Sequence, residues 1–326
     1  MRNRGEGRGA VASTAVRKQA RQTGEHGIGE LIRVVHMAED AGALRDFYQR
    51  VFGGFVFFGV DEPSYYDVED RYAALLMVGD LCIEAMAPAL PPDPQRPVGR
   101  FFTKFGTHLH SVGYKVEDLP GLTDRLVGRG IAVNRPGGGL VEKAEPELLY
   151  AVPSPKQTAG LLAELSKHDV PNDPRSRPTW SSLARISRTH PLTIERFACV
   201  TLGVRDLDAA EATYVEALQA VPVRRGVDDD LGYEYALVQL GDSLLELARP
   251  VDSDSDLGRH VARWGNMIYG LRFRVTDLDS AAAWLTTQGV RSTRVREGLL
   301  VTEPEDTFGT PIAFTTEDVE GDPFVA

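Results

Sequence analysis

The hydrophobic and polar positions of this chain repeat one pattern four times. Each copy begins with alternating apolar and polar residues, as in a half-buried strand, and continues through an acidic turn into an amphipathic helix. Further segments of strand character follow each helix, so a copy is predicted to be one strand, one helix and about three strands. The strand and helix stretches are residues 31–54, 110–133, 197–221 and 268–290.

Each copy carries an aspartate where its helix is predicted to begin. A carboxylate at this position accepts hydrogen bonds from the free N–H groups of the first turn and lies at the positive end of the helix dipole. We therefore predict that these aspartates are structural. They are Asp40, Asp118, Asp206 and Asp277.

A single βαβββ module leaves one face of its sheet bare, so modules are expected to pair in order to bury it. The sequence predicts an α+β fold of four such modules, paired into domains at residues 29–167 and 195–326. Residues 168–194, with many prolines and polar side chains, are predicted to link the domains and to pack partly through Trp180. A shorter connector is expected at 88–102.

Composition and charge narrow the class of protein. The chain has 326 residues, 42% of them apolar, and a formal net charge of −11, which argues against a nucleic-acid partner. No apolar run is long enough to span a membrane. The two cysteines are far apart in sequence, as is typical of a cytoplasmic protein. Residues 1–28, rich in glycine, arginine and small residues, are predicted to be a disordered tail.

Two segments end in matching carboxylates. VGDLCIEAMAP (78–88) and LGDSLLELARP (240–250) each contain a Gly-Asp turn, an apolar strand with a glutamate, and a final proline. Glu84 and Glu246 thus occupy the same position in two copies. A carboxylate that faces a core needs a partner, which can be a metal ion, an arginine or water.

Paired modules with FYQRVFGG in the first helix and VGDLCIEAMAP closing the first sheet resemble the vicinal oxygen chelate superfamily. This superfamily includes glyoxalase I, bleomycin-resistance proteins, extradiol dioxygenases and methylmalonyl-CoA epimerase. The resemblance covers residues 31–316, and residues 96–119 and 154–165 are most similar to the epimerases. It implies that each pair of modules curls around a U-shaped cleft, where a divalent metal is held by the first and last strands of both modules.

The resemblance also implies which residues would hold that metal. The last-strand ligand falls on Glu84, Glu164 and Glu246, and on Ala313 in the fourth module. The first-strand ligand, often a histidine, falls on Arg33, Ser111, Cys199 and Gly270, and none of these is a histidine.

Three arrangements remain open for the first pair. Arg33 stays protonated and would repel a cation, but it can neutralise Glu84 and Glu164 as a salt-bridged site. A divalent ion bound by Glu84, Glu164 and His110 is the second arrangement, and it needs a one-residue bulge that turns His110 into the cleft. Solvated carboxylates are the third. The cofactor therefore stays open, with one divalent metal in the first domain as the candidate and none expected in the second.

Other residues are predicted to contact a substrate in the first cleft. Ser111 lies at a ligand position, and Cys82 shares a strand face with Glu84. His108 precedes His110 on one face of the same strand. Tyr65 and Tyr66 lie in segments that usually form the wall of the cleft.

We expect an enzyme that acts on a small oxygenated metabolite by proton transfer, as an epimerase, isomerase or lyase. Glu84 or Glu164 would move a proton next to a carbonyl, while Arg33 or a metal ion stabilises the enolate. The second domain is expected to be degenerate.

The alternative to this enzyme is a metal-free protein that binds a small molecule or antibiotic. An extradiol-type dioxygenase is less favoured, because its ligand positions are Cys199, Gly270 and Ala313. A second copy of the chain is a further candidate partner.

Overall fold

The computed structural model describes residues 21–135, 138–182, 188–319 and 321–324. The first half contains β1 (Ile28–Met37), α1 (Ala41–Phe52), β2 (Phe55–Phe58), β3 (Ser64–Tyr66), β4 (Arg71–Val78), β5 (Leu81–Pro88), α2 (Pro97–Phe105), β6 (His108–Val116), α3 (Leu119–Gly128), β7 (Val133–Asn134), β8 (Leu140–Val141), β9 (Tyr150–Pro153) and β10 (Ala163–Ser166).

The second half contains β11 (Ile194–Gly203), α4 (Leu207–Ala217), β12 (Val221–Asp228), β13 (Tyr233–Leu240), β14 (Ser243–Pro250), α5 (Asp256–Trp264), β15 (Met267–Val275), α6 (Leu278–Thr287), β16 (Ser292–Arg296), β17 (Leu299–Thr302) and β18 (Ile312–Thr315). Short 3₁₀ turns cover Pro174–Ser176 and Pro304–Asp306.

The strands form two curled sheets, which confirms the predicted α+β fold. The first sheet has the order β2-β4-β5-β1-β6-β10-β9-β7-β8, with β3 paired to β4, and the second has the order β12-β13-β14-β11-β15-β18-β17-β16. In each module the first and last strands are parallel neighbours, as β1 is with β5. The two modules of a sheet meet where their first strands run antiparallel, at β1 with β6 and at β11 with β15.

The predicted helix caps are confirmed in every module. In each case the aspartate side chain accepts backbone N–H bonds of the first helical turn. Asp40 caps α1, Asp118 caps α3, Asp206 caps α4 and Asp277 caps α6.

The structure differs from the sequence predictions at the first connector and at the tail. The connector at 88–102 contains most of α2, which has proline in its first turn and a glycine after its last residue. An equivalent helix, α5, begins at Asp256 in the second half. The predicted tail is too long, because Thr23 pairs with Ile28 through backbone hydrogen bonds of 2.8 and 3.0 Å. The rest of that tail, residues 1–20, lies outside the described residues.

The two halves share one hydrophobic core rather than two separate ones. The ring of Phe52 in α1 lies 6.3 Å from that of Phe273 and 5.9 Å from that of Phe314, both in the second half. Trp284 donates a 2.7 Å hydrogen bond to the carbonyl of Val51. In the described part of the chain, no helix is both long and apolar enough to cross a membrane.

The Gly-Asp turns of the two matching hairpins join the halves reciprocally. Asp242 accepts the N–H of Leu31 in β1 at 2.7 Å, and Asp80 accepts the N–H of Phe197 in β11 at 2.5 Å. Asp242 is half-buried and Asp80 is exposed at the groove, and desolvation by the surrounding protein raises the pKa of each carboxyl group. The repeated Gly-Asp pair therefore has an interdomain role in addition to closing a hairpin.

Replacing Gly241 with alanine is expected to weaken this contact. Gly241 has φ +59°, and a Cβ at this position would overlap the carbonyl oxygen of Gly29. Gly289 is a matched control, because it has φ +74° and no neighbouring atom within 4 Å of an added Cβ. Both variants place alanine at a positive φ, which costs each of them about the same. The steric overlap is the difference between them, so Gly241→Ala should lower the free energy of urea unfolding by at least about 1 kcal/mol more than Gly289→Ala does. Equal losses would contradict the prediction.

Candidate active cleft

One face of the first sheet carries polar side chains into the first cleft. The turn at Gly79 and Asp80 pairs Leu75 with Glu84, and β1 places Val35 beside Glu84. Arg33 lies two residues before Val35 and therefore shares its face. Glu164 reaches this face from β10, because it pairs with Gly113, which itself lies opposite Arg33.

These side chains form an alternating chain of ion pairs, here called the ion-pair ladder: Glu69, Arg71, Glu84, Arg33 and Glu164. Arg33 lies between two glutamates, with Nε 2.5 Å from Glu84 Oε2 and Nη2 2.9 Å from Glu164 Oε1. The Nε–H of Arg33 does not point straight at Glu84, so that contact is an ion pair rather than an aligned hydrogen bond. Arg71 pairs with the other oxygen of Glu84 and with Glu69.

Burial divides the carboxylates of the ladder into two kinds. The exposed fraction of the side chain is 6% for Glu84, 27% for Glu164 and 36% for Glu69, so the centre is closed and both ends are open. Burial acts to raise the pKa of Glu84, but Arg33 and Arg71 outweigh it and the pKa is lowered. Glu84 is therefore a fixed anion and a poor base.

A cavity of about 260 Å³ opens above the ladder. Arg33, Arg71 and Glu84 form its polar floor, and the segment that follows β10 covers it with residues 168–171. Tyr66, Leu149 and Tyr150 lie at its sides. Burial, Glu69 and Glu164 raise the pKa of Tyr150 to about 12, so its phenol stays protonated at neutral pH. In the described residues, the Tyr150 hydroxyl has no hydrogen-bond partner.

The donor set of this cleft does not fit a divalent cation. Both oxygens of Glu84 are paired with arginines, and Arg33 lies between the two carboxylates that would have to converge on the ion. Across the described residues, no three His, Cys, Asp or Glu side chains are grouped to hold a metal. Of the three arrangements that the sequence leaves open, the structure has the arginine bridge.

His110 lies at a β-bulge, which the metal arrangement required, but it bonds within the protein. Ser111 pairs with Val35 and Leu109 with His36, so His110 is the extra residue of β6. Its Nδ1 lies 2.8 Å from Ser111 Oγ, and its ring centre lies 4.5 Å from that of Phe101 in α2. Burial lowers the pKa of His110 to about 3 despite the opposing charge of Glu84. Ser111 and His110 therefore satisfy each other beside the ladder.

The structure separates the remaining predicted substrate contacts. Tyr66 lines the cavity, whereas Tyr65 pairs with Tyr72 on the opposite face of the sheet, because neighbouring residues of a strand alternate. Cys82 is on the cleft face but fully buried. His108 is turned toward the second half, where its ring centre lies 5.2 Å from that of His260. Neither Tyr65 nor His108 is in a position to contact a ligand in this cavity.

The second cleft is filled by its own side chains. Glu246 accepts hydrogen bonds from Thr201 Oγ1 at 2.8 Å, Tyr233 OH at 3.1 Å and Arg272 Nη2 at 3.1 Å. Val319 and Phe324, from the segment after β18, pack against the cluster around Cys199. Glu246 is buried and its hydrogen-bonding partners come from the protein itself, as is typical of a carboxylate with a structural role.

A larger groove of about 1100 Å³ lies between the halves. Three of its arginines form ion pairs, and its lining carries charges of both signs. The pairs are Arg175 with Asp173 and Glu30, Arg196 with Asp322, and Arg274 with Glu195 and Asp318. The smaller cavity, with its converging ladder, is the better candidate for chemistry.

Sequence reasoning missed Arg71, Tyr150 and Arg272. Arg71 could have been found from the hairpin, since a turn at Gly79 and Asp80 puts residues 71, 73 and 75 on the face of Glu84. Arg272 lies two residues from Gly270 on the same face of β15. No local pattern marks Tyr150, because β9 reaches the cavity only through the pairing order of the folded sheet.

Comparisons with known proteins agree with this architecture. A family model described as the glyoxalase/bleomycin resistance protein/dioxygenase superfamily matches residues 31–139, and a second model with that description matches residues 200–308. No curated protein sequence matches the chain.

Among solved structures, a mutant 4-hydroxymandelate synthase from Streptomyces coelicolor is similar over 91% of this chain and 98% of its own, with 15% sequence identity and a TM-score of 0.61. Methylmalonyl-CoA epimerase from Mycobacterium tuberculosis is similar over 37% of this chain and 87% of its own, with 28% identity and a TM-score of 0.36. The synthase shows the same fold over nearly the whole chain.

Proposed function

Because the chain belongs to the glyoxalase/bleomycin resistance protein/dioxygenase superfamily in both of its halves, we propose that its first cleft is the active site of a metal-independent proton-transfer enzyme. The substrate class is a small oxygenated metabolite with an acidic C–H next to a carbonyl, and the reaction is an epimerisation, isomerisation or elimination. The observation that carries the proposal is the arginine bridge between Glu84 and Glu164, in which Glu84 is buried while Glu164 is partly exposed and pairs with an arginine that lines the cavity.

Glu164 is the proposed base. Its Oε1 pairs with Arg33, and in the described residues its Oε2 accepts no hydrogen bond, so one oxygen is free to take a proton. As the proton leaves carbon, negative charge develops on the carbonyl oxygen of the substrate. The Arg33 guanidinium is fixed in place by Glu84 and can stabilise that charge without reorganising. Glu84 is thus a positioning residue that holds Arg33.

Exchange of substrate hydrogen for solvent deuterium tests this proposal. The protein is incubated in D₂O and a chelator with a panel of small ketones, hydroxyketones and thioesters, and deuterium uptake next to the carbonyl is followed by proton NMR. Glu164→Gln should slow exchange at least about a hundredfold, because the amide cannot take up the proton. Glu246→Gln, the same change in the filled cleft, should leave it unchanged. Equal exchange in the Glu164 variant and the native protein would contradict the proposal.

A metal-free binding protein is the second candidate function. It is favoured by the ladder itself, since its inner charges neutralise each other and need no catalytic role. Such a protein would bind small molecules or antibiotics in the first cleft with chelator present and would exchange no deuterium. Calorimetric titration against compounds that show no exchange separates this function from the first.

A further inference from the structure

We propose that the first cleft selects a ligand without net negative charge, so that a neutral or singly cationic carbonyl compound binds and its carboxylate analogue does not. This inference rests on the proposed function for the location of the site and adds the charge class of the substrate. It follows from the composition of the ladder and from the neutral groups that remain at the cavity wall.

The ladder contains an odd number of charges. Two arginines alternate with three glutamates, so the charge of the ladder is −1 rather than zero. The two ends of the ladder are glutamates and are the most exposed members, while both arginines have carboxylates on two sides. A ligand that enters the cavity therefore meets arginines whose charge is already offset.

The rest of the cavity does not reverse this balance. Asp169 lies at its cover, and its carboxylate is paired with Lys115. Arg33 and Arg71 are the only Lys or Arg side chains in the described lining. A carboxylate ligand would have to replace Glu164 or Glu84 at an arginine, which would leave that glutamate unpaired in a half-buried site. The net charge of −11 on the whole chain also disfavours the approach of an anion.

Neutral hydrogen-bond donors remain for the ligand. The Tyr150 phenol lies at the cavity wall beside the ladder and is without a partner among the described residues. It can donate to a carbonyl or hydroxyl oxygen of a neutral ligand without breaking any ion pair of the ladder. Tyr66, over which Arg71 stacks at 4.5 Å, and Leu149 provide apolar surface for the remainder of the ligand.

Three flat probes of the same shape test the inference: benzoate, benzamide and benzamidinium. Dissociation constants for the full chain are measured by NMR titration at low ionic strength and about pH 8, where exposed histidines are neutral. Benzamide and benzamidinium should bind at least about tenfold more tightly than benzoate, as expected for one uncompensated carboxylate near the ligand. In Glu164→Gln the ladder becomes neutral, and the disadvantage of benzoate should fall below about threefold.

Glu234→Gln is the matched control, because Glu234 forms an ion pair with Arg249 in the second half, and it should leave the ratio unchanged. The inference is overturned if benzoate binds as tightly as benzamide, if none of the probes binds, or if Glu164→Gln leaves the ratio unaltered. Deuterium exchange is a separate measurement. A protein that shows the charge preference but exchanges no deuterium would retain this inference and lose the proposed function.

Discussion

Replacing Arg33 with methionine is expected to lower the free energy of unfolding by about 3–5 kcal/mol at neutral pH. Arg33 is the shared partner of Glu84 and Glu164, so its removal changes the charge of the ladder from −1 to −2 with part of that charge deeply buried. The side chain of methionine fills much of the same space, so the loss reports the missing charge more than a cavity. Urea unfolding followed by circular dichroism measures it.

The pH dependence of this loss separates charge from packing. Without Arg33, burial acts on Glu84 with only Arg71 to oppose it, so the pKa of Glu84 should rise above that in the native protein. The stability difference between variant and native protein should therefore be larger at about pH 8 than at about pH 5, where protonation relieves the unpaired charge. Arg225→Met removes an arginine that is 50% exposed and paired with Asp208 and Glu211, and it should cost less than about 1 kcal/mol. Equal losses for the two variants would refute the role assigned to Arg33.

Acid is expected to destabilise the protein through His36, by about 3 kcal/mol between pH 6.5 and pH 4. His36 is fully buried between the halves, where its Nδ1 lies 2.8 Å from the Tyr48 hydroxyl oxygen and its Nε2 donates to the carbonyl of Phe308 at 2.9 Å. Burial lowers the pKa of His36 to about 4, so the ring is neutral at neutral pH and Nδ1 accepts the Tyr48 hydroxyl proton. The unfolded chain takes up this proton near pH 6.5, so stability is lost as the pH falls from that value toward the folded pKa.

Urea unfolding at several pH values measures this effect. His36→Gln retains hydrogen-bonding groups but cannot titrate, so the variant is expected to be less stable at pH 8 and to lose less stability on acidification. His168→Gln, a change at an exposed histidine, should keep the acid dependence of the native protein. If His36→Gln lost as much stability on acidification as the native protein, the titrating group would have to be a residue other than His36.

The elements of the fold could be predicted because local chemistry determines them. Aspartate caps mark where the module helices begin, and Gly-Asp turns set the pairing of the hairpins that contain Glu84 and Glu246. The helices of the connectors were missed although α2 shows helical signals of its own. Val98, Phe101, Phe102 and Phe105 recur at helical spacing after Pro97, inside a segment whose prolines suggested a loop.

The candidate site could be predicted only where strand alternation is undisturbed. Arg33, Glu84 and Glu164 occupy equivalent positions of regular strands, and the structure brings them together. His110 is the extra residue of a bulge, which shifts the alternation by one residue and changes the face of His108 and of the other residues before it. Arg71 reaches Glu84 along a diagonal of the hairpin, and Tyr150 arrives from a strand distant in sequence. Such contacts depend on side-chain length and strand order, which no local pattern contains.

The reciprocal contacts of the two Gly-Asp turns bear on whether either half of the chain can fold alone. In a symmetric dimer, a contact of residue i with residue j is repeated as j with i, and the interface is called isologous. Asp80 with Phe197 and Asp242 with Leu31 repeat one contact in this way, but within a single chain. Excising either half would leave an amide of its first strand without its acceptor and would expose half of a common core. We therefore expect the smallest autonomously folding unit to be the complete pseudo-dimer.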